Sequence, residues 1–261
     1  GTDVWLNNAQ TLIKEGTCTL STCICTRDDI MTYLINTGVE PGMSFKIMES
    51  VRKGKGLTPE MEQAMLASEV PEWYIRSCKQ IKYMFPKAHA AAYVMMAFRI
   101  AYFKIYYPLA YYTAFYSIRA SAFNYELMCQ GKEHLESVMA DYKRRTNTLS
   151  KKEQDTYRDM RIVQEMYARG ITFEPIDIYR ADAQKFQIVG DRIMPSLSSI
   201  DGMGEIAAKG VVEAAKNGKF LSRDDFKIRC KVSSTVVDTM ARLGLLGDLP
   251  QSNQMSLLDY L

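Results

Sequence analysis

Residues 200–212 read Ile-Asp-Gly-Met-Gly-Glu-Ile-Ala-Ala-Lys-Gly-Val-Val, and this stretch does most to decide the fold of the 261-residue chain. An apolar residue, a Gly-x-Gly turn and an alanine-rich run are typical of a helix–hairpin–helix. The glycines allow a tight turn, and the helix that follows presents backbone N–H groups at its positive end. Because such groups hold phosphate without reading bases, the pattern predicts contact with the DNA backbone. The candidate residues are Gly202, Met203, Gly204 and Lys209.

A second interpretation is that the Gly-x-Gly turn only joins two helices. The sequence that follows favours the first interpretation, because it predicts another helical pair over about 224–230 and 233–243. This pair ends in Gly-Leu-Leu-Gly at 244–247, which resembles a degenerate second copy of the hairpin.

Upstream of the hairpin, the chain carries the start and stop signals of helices. Thr26 and Asp29 have the spacing of a capping box, and Gly38 is a typical stop. Pro41 and Pro59 are placed where proline favours the first turn of a helix. The sequence predicts helices that begin near residues 27, 41, 59, 71, 88 and 108.

The residue composition of the sequence changes near residue 120. Two charged, amphipathic helices are predicted up to about residue 169, with a break near 146–148, followed by β-like runs at 171–173 and 186–189. Gly190 and Asp191 supply turn chemistry after the second run. The predicted fold is therefore mainly α with a small β element. Its predicted domains are a helical domain over 1–120, a hairpin domain over 121–248 and a flexible tail over 249–261.

Aromatic residues are dense between Tyr93 and Tyr116. Such stripes at helical spacing usually pack in a core, so we expect two helices to bury them against each other around Pro108. Stacking on nucleic-acid bases is the alternative, but most of these rings cannot share one such face.

Composition excludes a disordered chain, since 47% of the residues are hydrophobic. The formal net charge is only +3, so net charge alone does not indicate a nucleic-acid partner. Basic residues do cluster at 52–55 and 143–152, although charge runs are usually solvated faces.

Six cysteines are scattered through the chain, without a secretory signal or a long apolar span. This usage fits the reducing cytoplasm and predicts no membrane contact. Cys18, Cys23 and Cys25 come close to a metal cluster, but their spacing lacks paired Cys-x2-Cys knuckles and a nearby histidine. We therefore expect small buried thiols and no metal site.

Residues 81–93 read Ile-Lys-Tyr-Met-Phe-Pro-Lys-Ala-His-Ala-Ala-Ala-Tyr. The run from Phe85 to Tyr93 resembles the fingers signature of the bacterial C-family replicative DNA polymerases, specifically the PolC-type DNA polymerase III alpha subunit. Residues 1–6 and 27–56 resemble the preceding fingers segment, and the resemblance extends to the end of the chain. It implies a carboxy-terminal piece of such a polymerase, with a helical fingers domain followed by a helix–hairpin–helix duplex-binding domain.

The resemblance implies a DNA-directed DNA polymerase that extends a primer with dNTP and Mg²⁺. In this family, aspartates of the palm domain, which precedes the fingers, hold the metal, and this chain has no matching set. Asp28 and Asp29 cannot replace them, because neighbours on a helix point about 100° apart, and their charge suits a helix N-terminus. We therefore expect this chain to be inactive alone. The implied partners are primer–template DNA, dNTP, the sliding clamp and the upstream palm and other domains.

The resemblance also places the incoming nucleotide beside the fingers signature. Its phosphates need cationic partners, because charge grows on the leaving pyrophosphate. The cationic candidates are Lys82, Lys87, His89, Arg27 and Arg52. The candidates for packing on the nascent base pair are Tyr83, Phe85 and Tyr93. Two alternatives stay open: Phe85 and Tyr93 belong to the core, or His89 is buried and hydrogen bonded.

The last residues add a peptide motif. Residues 254–258 read Gln-Met-Ser-Leu-Leu and resemble the peptide by which replicative polymerases bind the ring-shaped sliding clamp. A glutamine at the pocket rim and apolar anchors inside it suit such a contact. The candidates are Gln254, Met255, Leu257 and Leu258, although an aromatic residue is common where Leu258 stands.

A function from another class competes with the polymerase interpretation. A non-catalytic DNA-binding adaptor would also use a helix–hairpin–helix and a clamp-binding peptide. Residues 81–93 separate the two, because such an adaptor has no use for them. An all-helical scaffold, the third option, leaves both the hairpin and the tail peptide unexplained.

Overall fold

Helices dominate the computed structural model, which describes residues 1–253. The chain divides into two compact units, Gly1–Arg99 and Ile100–Leu261. The predicted boundary near residue 120 therefore differs from the observed one. Residues 100–120 belong to the second unit, because Tyr112 and Tyr116 are buried among its side chains. Among the described residues, no helix is both long enough and apolar enough to span a membrane.

The first unit is built from helices α1 (Gln10–Lys14), α2 (Arg27–Asn36), α3 (Pro41–Arg52), α4 (Pro59–Ala67), α5 (Glu72–Gln80) and the first part of α6 (Lys87–Tyr106). The predicted helix starts near 27, 41, 59, 71 and 88 are confirmed. Local caps explain two of them. The Asp29 carboxylate accepts a hydrogen bond from the Thr26 N–H (2.7 Å), and the Glu40 carboxylate accepts one from the Gly42 N–H (2.7 Å). Each cap satisfies a donor that has no acceptor within the helix.

The core of the first unit lies between α2, α3 and α5. Ile30 and Leu34 of α2, Ile47 and Val51 of α3, and Tyr74 of α5 are almost completely buried. Within α2 and α3 these residues are four positions apart, so one face of each helix turns inward. Burial of this apolar area is the main term that holds the helices together.

Helix α6 departs from the sequence-based expectation. None of its 20 residues is buried, and its exposed side chains include Tyr93, Phe98, Tyr102 and Phe103. The expectation that α6 and the following helix bury this stripe against each other is therefore wrong for α6. Its apolar side chains are distributed around the whole helix, so the sequence pattern marks no single inward face.

The second unit continues with α7 (Pro108–Ile118), α8 (Tyr125–Met128), α9 (Lys132–Arg144) and α10 (Lys151–Ala168). The predicted break is a single 3-10 turn over Thr146–Thr148. The ring of Tyr116 in α7 is surrounded by Phe123, Phe173 and Phe186, with centroids 5.3–5.7 Å away. This aromatic core attaches α7 to the segment that carries the β element.

The β element is a two-stranded antiparallel hairpin made of β1 (Gln187–Val189) and β2 (Arg192–Met194). Ile188 lies opposite Ile193, and Gly190 at the turn has a φ of +61°, which costs glycine little. The predicted run at 171–173 contributes only a bridge from Phe173 to Ile193. The sequence therefore predicts β1 and its turn but misses β2.

Helices α11 (Glu205–Lys216), α12 (Arg223–Cys230) and α13 (Ser234–Arg242) complete the described part of the second unit. The Arg223 N–H donates to the Pro250 carbonyl (2.9 Å), and the Asp224 N–H donates to the Gln251 carbonyl (3.2 Å). The tail carbonyls thus satisfy donors at the start of α12. The predicted flexible tail over 249–261 therefore does not begin at residue 249. The predicted clamp-binding residues lie outside the described residues: Gln254, Met255, Leu257 and Leu258.

Candidate nucleic-acid interface

The segment at 82–85, just before α6, carries the first group of predicted site residues. Two backbone hydrogen bonds attach it to the ends of neighbouring helices: the Met84 N–H donates to the Arg52 carbonyl (3.3 Å), and the Arg27 N–H donates to the Phe85 carbonyl (3.2 Å). Met84 is buried, whereas Tyr83 and Phe85 on either side of it are exposed. The buried Met84 side chain therefore anchors the segment and leaves both rings in solvent.

Gly54, directly after α3, contacts the same segment very closely. A Cβ atom at Gly54 would lie 2.2 Å from the Lys82 carbonyl oxygen, and the φ of Gly54 is +68°. Both the close approach and the left-handed backbone require glycine. The end of α3 therefore fixes where the 82–85 segment lies.

Four rings line up along this segment and the first turns of α6; we call Tyr83, Phe85, His89 and Tyr93 the ring ladder. The Phe85 ring is edge-on to Tyr83 and nearly parallel to His89, with centroids 5.0 Å away in both cases. The His89 ring contacts the ring of Tyr93, four residues further along one face of α6, and their centroids are 4.4 Å apart. Tyr83, Phe85 and Tyr93 are 44%, 45% and 68% exposed, and His89 is also exposed. The core interpretation of Phe85 and Tyr93 is therefore wrong, as is a buried role for His89.

Two lysines flank the ring ladder, and each has a carboxylate partner. The Lys82 Nζ lies 2.6 Å from Asp3, and the hydrogen bond to Asp3 raises the pKa of Lys82. The Lys87 Nζ lies 3.5 Å from Asp29. The two lysine side chains are 72% and 71% exposed, so these ion pairs are weak and can be exchanged for a phosphate group.

Arg27 and Arg52 meet at a third carboxylate, Glu49. The Arg52 guanidinium donates two hydrogen bonds of 2.8 Å to it, and Arg27 Nη1 lies 3.8 Å away. Lys53 Nζ is 3.0 Å from the same carboxylate. The hydrogen bonds from Arg52 and then Lys53 lower the pKa of Glu49 to about 2. Three cations thus share one anion. Lys53 is missing from the predicted set, although its place in the basic cluster at 52–55 and its spacing of four from Glu49 both mark it in the sequence.

Asp28 and Asp29 accept hydrogen bonds from backbone N–H groups at the N-terminal ends of helices. Asp28 accepts a hydrogen bond from the Lys87 N–H (2.7 Å) at the start of α6, and Asp29 accepts the one from Thr26 at the start of α2. Both contacts agree with the predicted role of this pair as N-terminal helix charge. Within residues 1–253, no three His, Cys, Asp or Glu side chains form a group that could hold a metal ion.

The glycine hairpin of the second unit precedes α11. Gly202 has a φ of +79°, and Gly204 is the N-cap of α11. Because Gly204 has no side chain, it cannot accept from the first N–H groups of α11, which also lack acceptors within the helix. A Cβ atom at Gly204 would have no neighbour within 4 Å. Open space beside the N-cap, together with donors that lack helix acceptors at the positive end of a helix, suits a phosphate group.

Met203 does not fit its predicted place among the DNA-contacting residues. Its side chain is only 4% exposed, and its N–H donates to the Ile200 carbonyl (3.0 Å). Met203 therefore anchors the hairpin in the core beneath it. Lys209 is exposed, with its Nζ 2.6 Å from the Glu205 carboxylate one turn earlier, and it lies on the helix that the hairpin begins.

Comparison with known proteins shows which families this chain resembles. Residues 170–256 match the family described as the helix-hairpin-helix motif. The DNA polymerase III PolC-type of Caldanaerobacter subterraneus is 50% identical over 98% of this chain, and that of Clostridium perfringens is 51% identical over 98%. The protein of the same name from Streptococcus pneumoniae is 51% identical over 100% of the chain.

The chain spans 18% of the length of each of these relatives. About half of its residues are identical to theirs over almost all of its length, and the match includes both the fingers-like signature and the hairpin. The chain therefore belongs to the PolC-type DNA polymerase III family, and it corresponds to a segment of that family's longer members.

Proposed function

We propose that this chain is the part of a DNA-directed DNA polymerase that contacts the incoming nucleotide and the duplex while the bacterial chromosome is replicated. Residues 1–120, which comprise the first unit and residues 100–120 of the second, then act as the fingers, and residues 121–248 act as the duplex-binding domain. The observation that carries the proposal is the open helix N-terminus at Gly204, in a chain half identical to PolC-type polymerases.

The ring ladder supports the nucleotide-binding half of the proposal. Exposed aromatic rings stack on bases, and each such contact is worth about 1–3 kcal/mol. Lys82, Lys87, Arg27 and Arg52 supply the positive charge that a triphosphate needs, and their present carboxylate partners can be exchanged for phosphate oxygens. A DNA-binding adaptor would need the hairpin but not this combination of rings and cations.

We propose that the catalytic metal ions of the polymerase are bound by residues outside this chain. Phosphoryl transfer by polymerases uses two metal ions, here Mg²⁺, that activate the attacking oxygen and stabilise the leaving one. Asp28 and Asp29 do not fit as ligands, because both carboxylates bind helix N–H groups. The residues of this chain therefore bind and orient nucleotide and duplex, while the palm of the complete polymerase holds the metal ions.

Helix α6 supports a place for this chain within a larger enzyme. An exposed apolar surface of this extent marks a contact with another protein surface. The relatives are more than five times longer than the chain, so we propose that α6 packs against the palm or another domain of the same polymerase. We further propose that Gln254, Met255, Leu257 and Leu258 bind the sliding clamp, and that the enzyme works in the cytoplasm, where thiols such as Cys25 stay reduced.

Replacing Gly204 by alanine tests the hairpin as a phosphate site. The backbone at Gly204 suits alanine, and its Cβ meets no neighbour, so the loss of stability is at most about 1 kcal/mol. We expect duplex DNA of any sequence to bind roughly tenfold more weakly, because the methyl group occupies open space beside the N-cap of α11, where the proposed phosphate group approaches. Fluorescence anisotropy measures the binding, and thermal unfolding checks the fold. A folded variant that binds normally would reduce the hairpin to a connector.

Replacing Lys87 by alanine in the complete polymerase tests the nucleotide surface. We expect the KM for dNTP to rise by roughly tenfold, since one contact between a cation and a phosphate is lost, while primer–template affinity stays close to normal. Lys79→Ala is the matched control, because Lys79 of α5 is also paired with a carboxylate (Glu62, 2.7 Å) but is not one of the predicted site residues. The reverse result, with weaker DNA binding and an unchanged KM, would assign residues 81–93 to the duplex.

A further inference from the structure

A groove of about 390 Å³ lies beside the glycine hairpin of the second unit. One wall is the hairpin at 200–204, and the opposite wall is the first turns of α10, through Lys152 and Thr156. The polar residues between them are Ser121, Asn124, Ser198 and Ser199. The groove therefore reaches Gly204, the N-cap of α11, and it extends to a helix that lies about 50 residues earlier in the sequence.

Lys152 is the cationic side chain among the described residues that line this groove. Its Nζ reaches across to the hairpin and lies 3.4 Å from the Asp201 carboxylate, next to Gly202. The Lys152 and Asp201 side chains are 77% and 63% exposed. An ion pair this exposed contributes about 0–1 kcal/mol, so a stronger anion can take the place of Asp201 at little cost.

The negative charges on the hairpin oppose the binding of a phosphate group, so tight binding requires that Lys152 pairs with the phosphate instead of Asp201. Asp201 and Glu205 put two negative charges beside the proposed phosphate position, and Lys209 is already paired with Glu205 (2.6 Å). A phosphodiester that approaches the α11 donors is repelled by these carboxylates unless a cation lies between them. Lys152 is the cation that lines the groove beside one of these carboxylates, with its Nζ 3.4 Å from Asp201.

We propose that Lys152 is a phosphate-binding residue of the hairpin site, and that the DNA backbone lies in the groove between α10 and the hairpin. Asp201 holds the Lys152 ammonium in place when DNA is absent and competes with DNA for it. This inference rests on the proposed duplex-binding function. It extends that site to a residue outside residues 170–256, the region that matches the helix-hairpin-helix family.

The test compares Lys152→Ala with Lys151→Ala in the full chain. Lys151 is the neighbouring residue on α10, is 78% exposed and pairs with Asp155 (3.3 Å), but it does not line the groove. Both substitutions remove one positive charge from the same helical turn. For Lys152→Ala we expect duplex binding to weaken roughly threefold to tenfold, and the slope of log K against log salt to fall by about 0.9, the value for one phosphate contact. Lys151→Ala should leave both quantities close to wild type.

Equal effects of the two substitutions would overturn the proposal, since only the net charge would then matter. Asp201→Asn provides a second arm: it removes the competing anion and should strengthen duplex binding, whereas weaker binding would contradict the competition. The Gly204→Ala variant separates this inference from the function beneath it. If Gly204→Ala weakens binding while Lys152→Ala behaves like Lys151→Ala, only the role of Lys152 fails. If neither variant weakens binding, the hairpin site itself fails.

Discussion

The Gly54→Ala variant is expected to lose about 2–6 kcal/mol of folding free energy in the first unit. The added methyl group would lie 2.2 Å from the Lys82 carbonyl oxygen, a backbone atom that cannot move without shifting the whole 82–85 segment. Overpacking of this kind costs about 1–3 kcal/mol. The φ of +68° adds about 1–3 kcal/mol, because alanine is strained in the left-handed region. Chemical denaturation followed by circular dichroism measures the loss.

Gly56→Ala is the matched control for this prediction. Gly56 lies two residues further along the same loop and has a φ of +72°, but a Cβ atom at this position would have no neighbour within 4 Å. The variant therefore has the backbone strain without the steric clash, and we expect a loss of only about 1–3 kcal/mol. If the two variants are equally stable, the contact between Gly54 and Lys82 does not position the segment that carries the ring ladder.

The Gln254→Ala/Leu257→Ala double variant of the complete polymerase is expected to lose all stimulation by the sliding clamp. The proposed peptide anchors itself through a glutamine at the pocket rim and apolar side chains inside the pocket, so removing one of each leaves little binding free energy. Synthesis without the clamp should be unchanged, because the proposed role of the peptide involves neither nucleotide nor duplex. Primer extension with and without the clamp measures both quantities.

Gln251→Ala controls for the loss of a nearby glutamine. The Gln251 side chain donates to Asp224 (3.3 Å), and its carbonyl accepts from the start of α12, so this residue belongs to the anchored part of the chain. Clamp stimulation should survive this substitution. If stimulation also survives the double substitution, the match at 254–258 is accidental and the clamp is held elsewhere in the enzyme.

Much of the helical framework could be predicted because its signals are local. Thr26 with Asp29, and prolines such as Pro41 and Pro59, act within one turn of the helices that they start, so spacing alone locates those helices. The glycine hairpin is equally local, since Gly202 and Gly204 are two residues apart. The fold class, mainly α with a small β element, followed from these signals and is confirmed.

The rest depended on contacts that the sequence does not display. Helix α6 has apolar residues all around it, so periodicity could not show that its side chains are exposed. Met203 looked like part of a ligand-binding loop, yet burial decides its role, and burial depends on the whole fold. Lys152 faces Asp201 only because α10 and the hairpin meet in three dimensions. The residues of the ring ladder could be identified from the sequence through the fingers resemblance, but their exposure to solvent could not.

The proposed contact is between the glycine hairpin of this chain and the sugar–phosphate backbone of duplex DNA. Its most direct test is the titration of the purified chain with three duplexes of unrelated sequence over a range of salt concentrations, followed by fluorescence anisotropy. Backbone recognition predicts the same affinity for all three duplexes and a linear fall of log K with log salt, because phosphate contacts release counterions and read no bases. A marked preference for one duplex, or an affinity that does not change with salt, would contradict the claim.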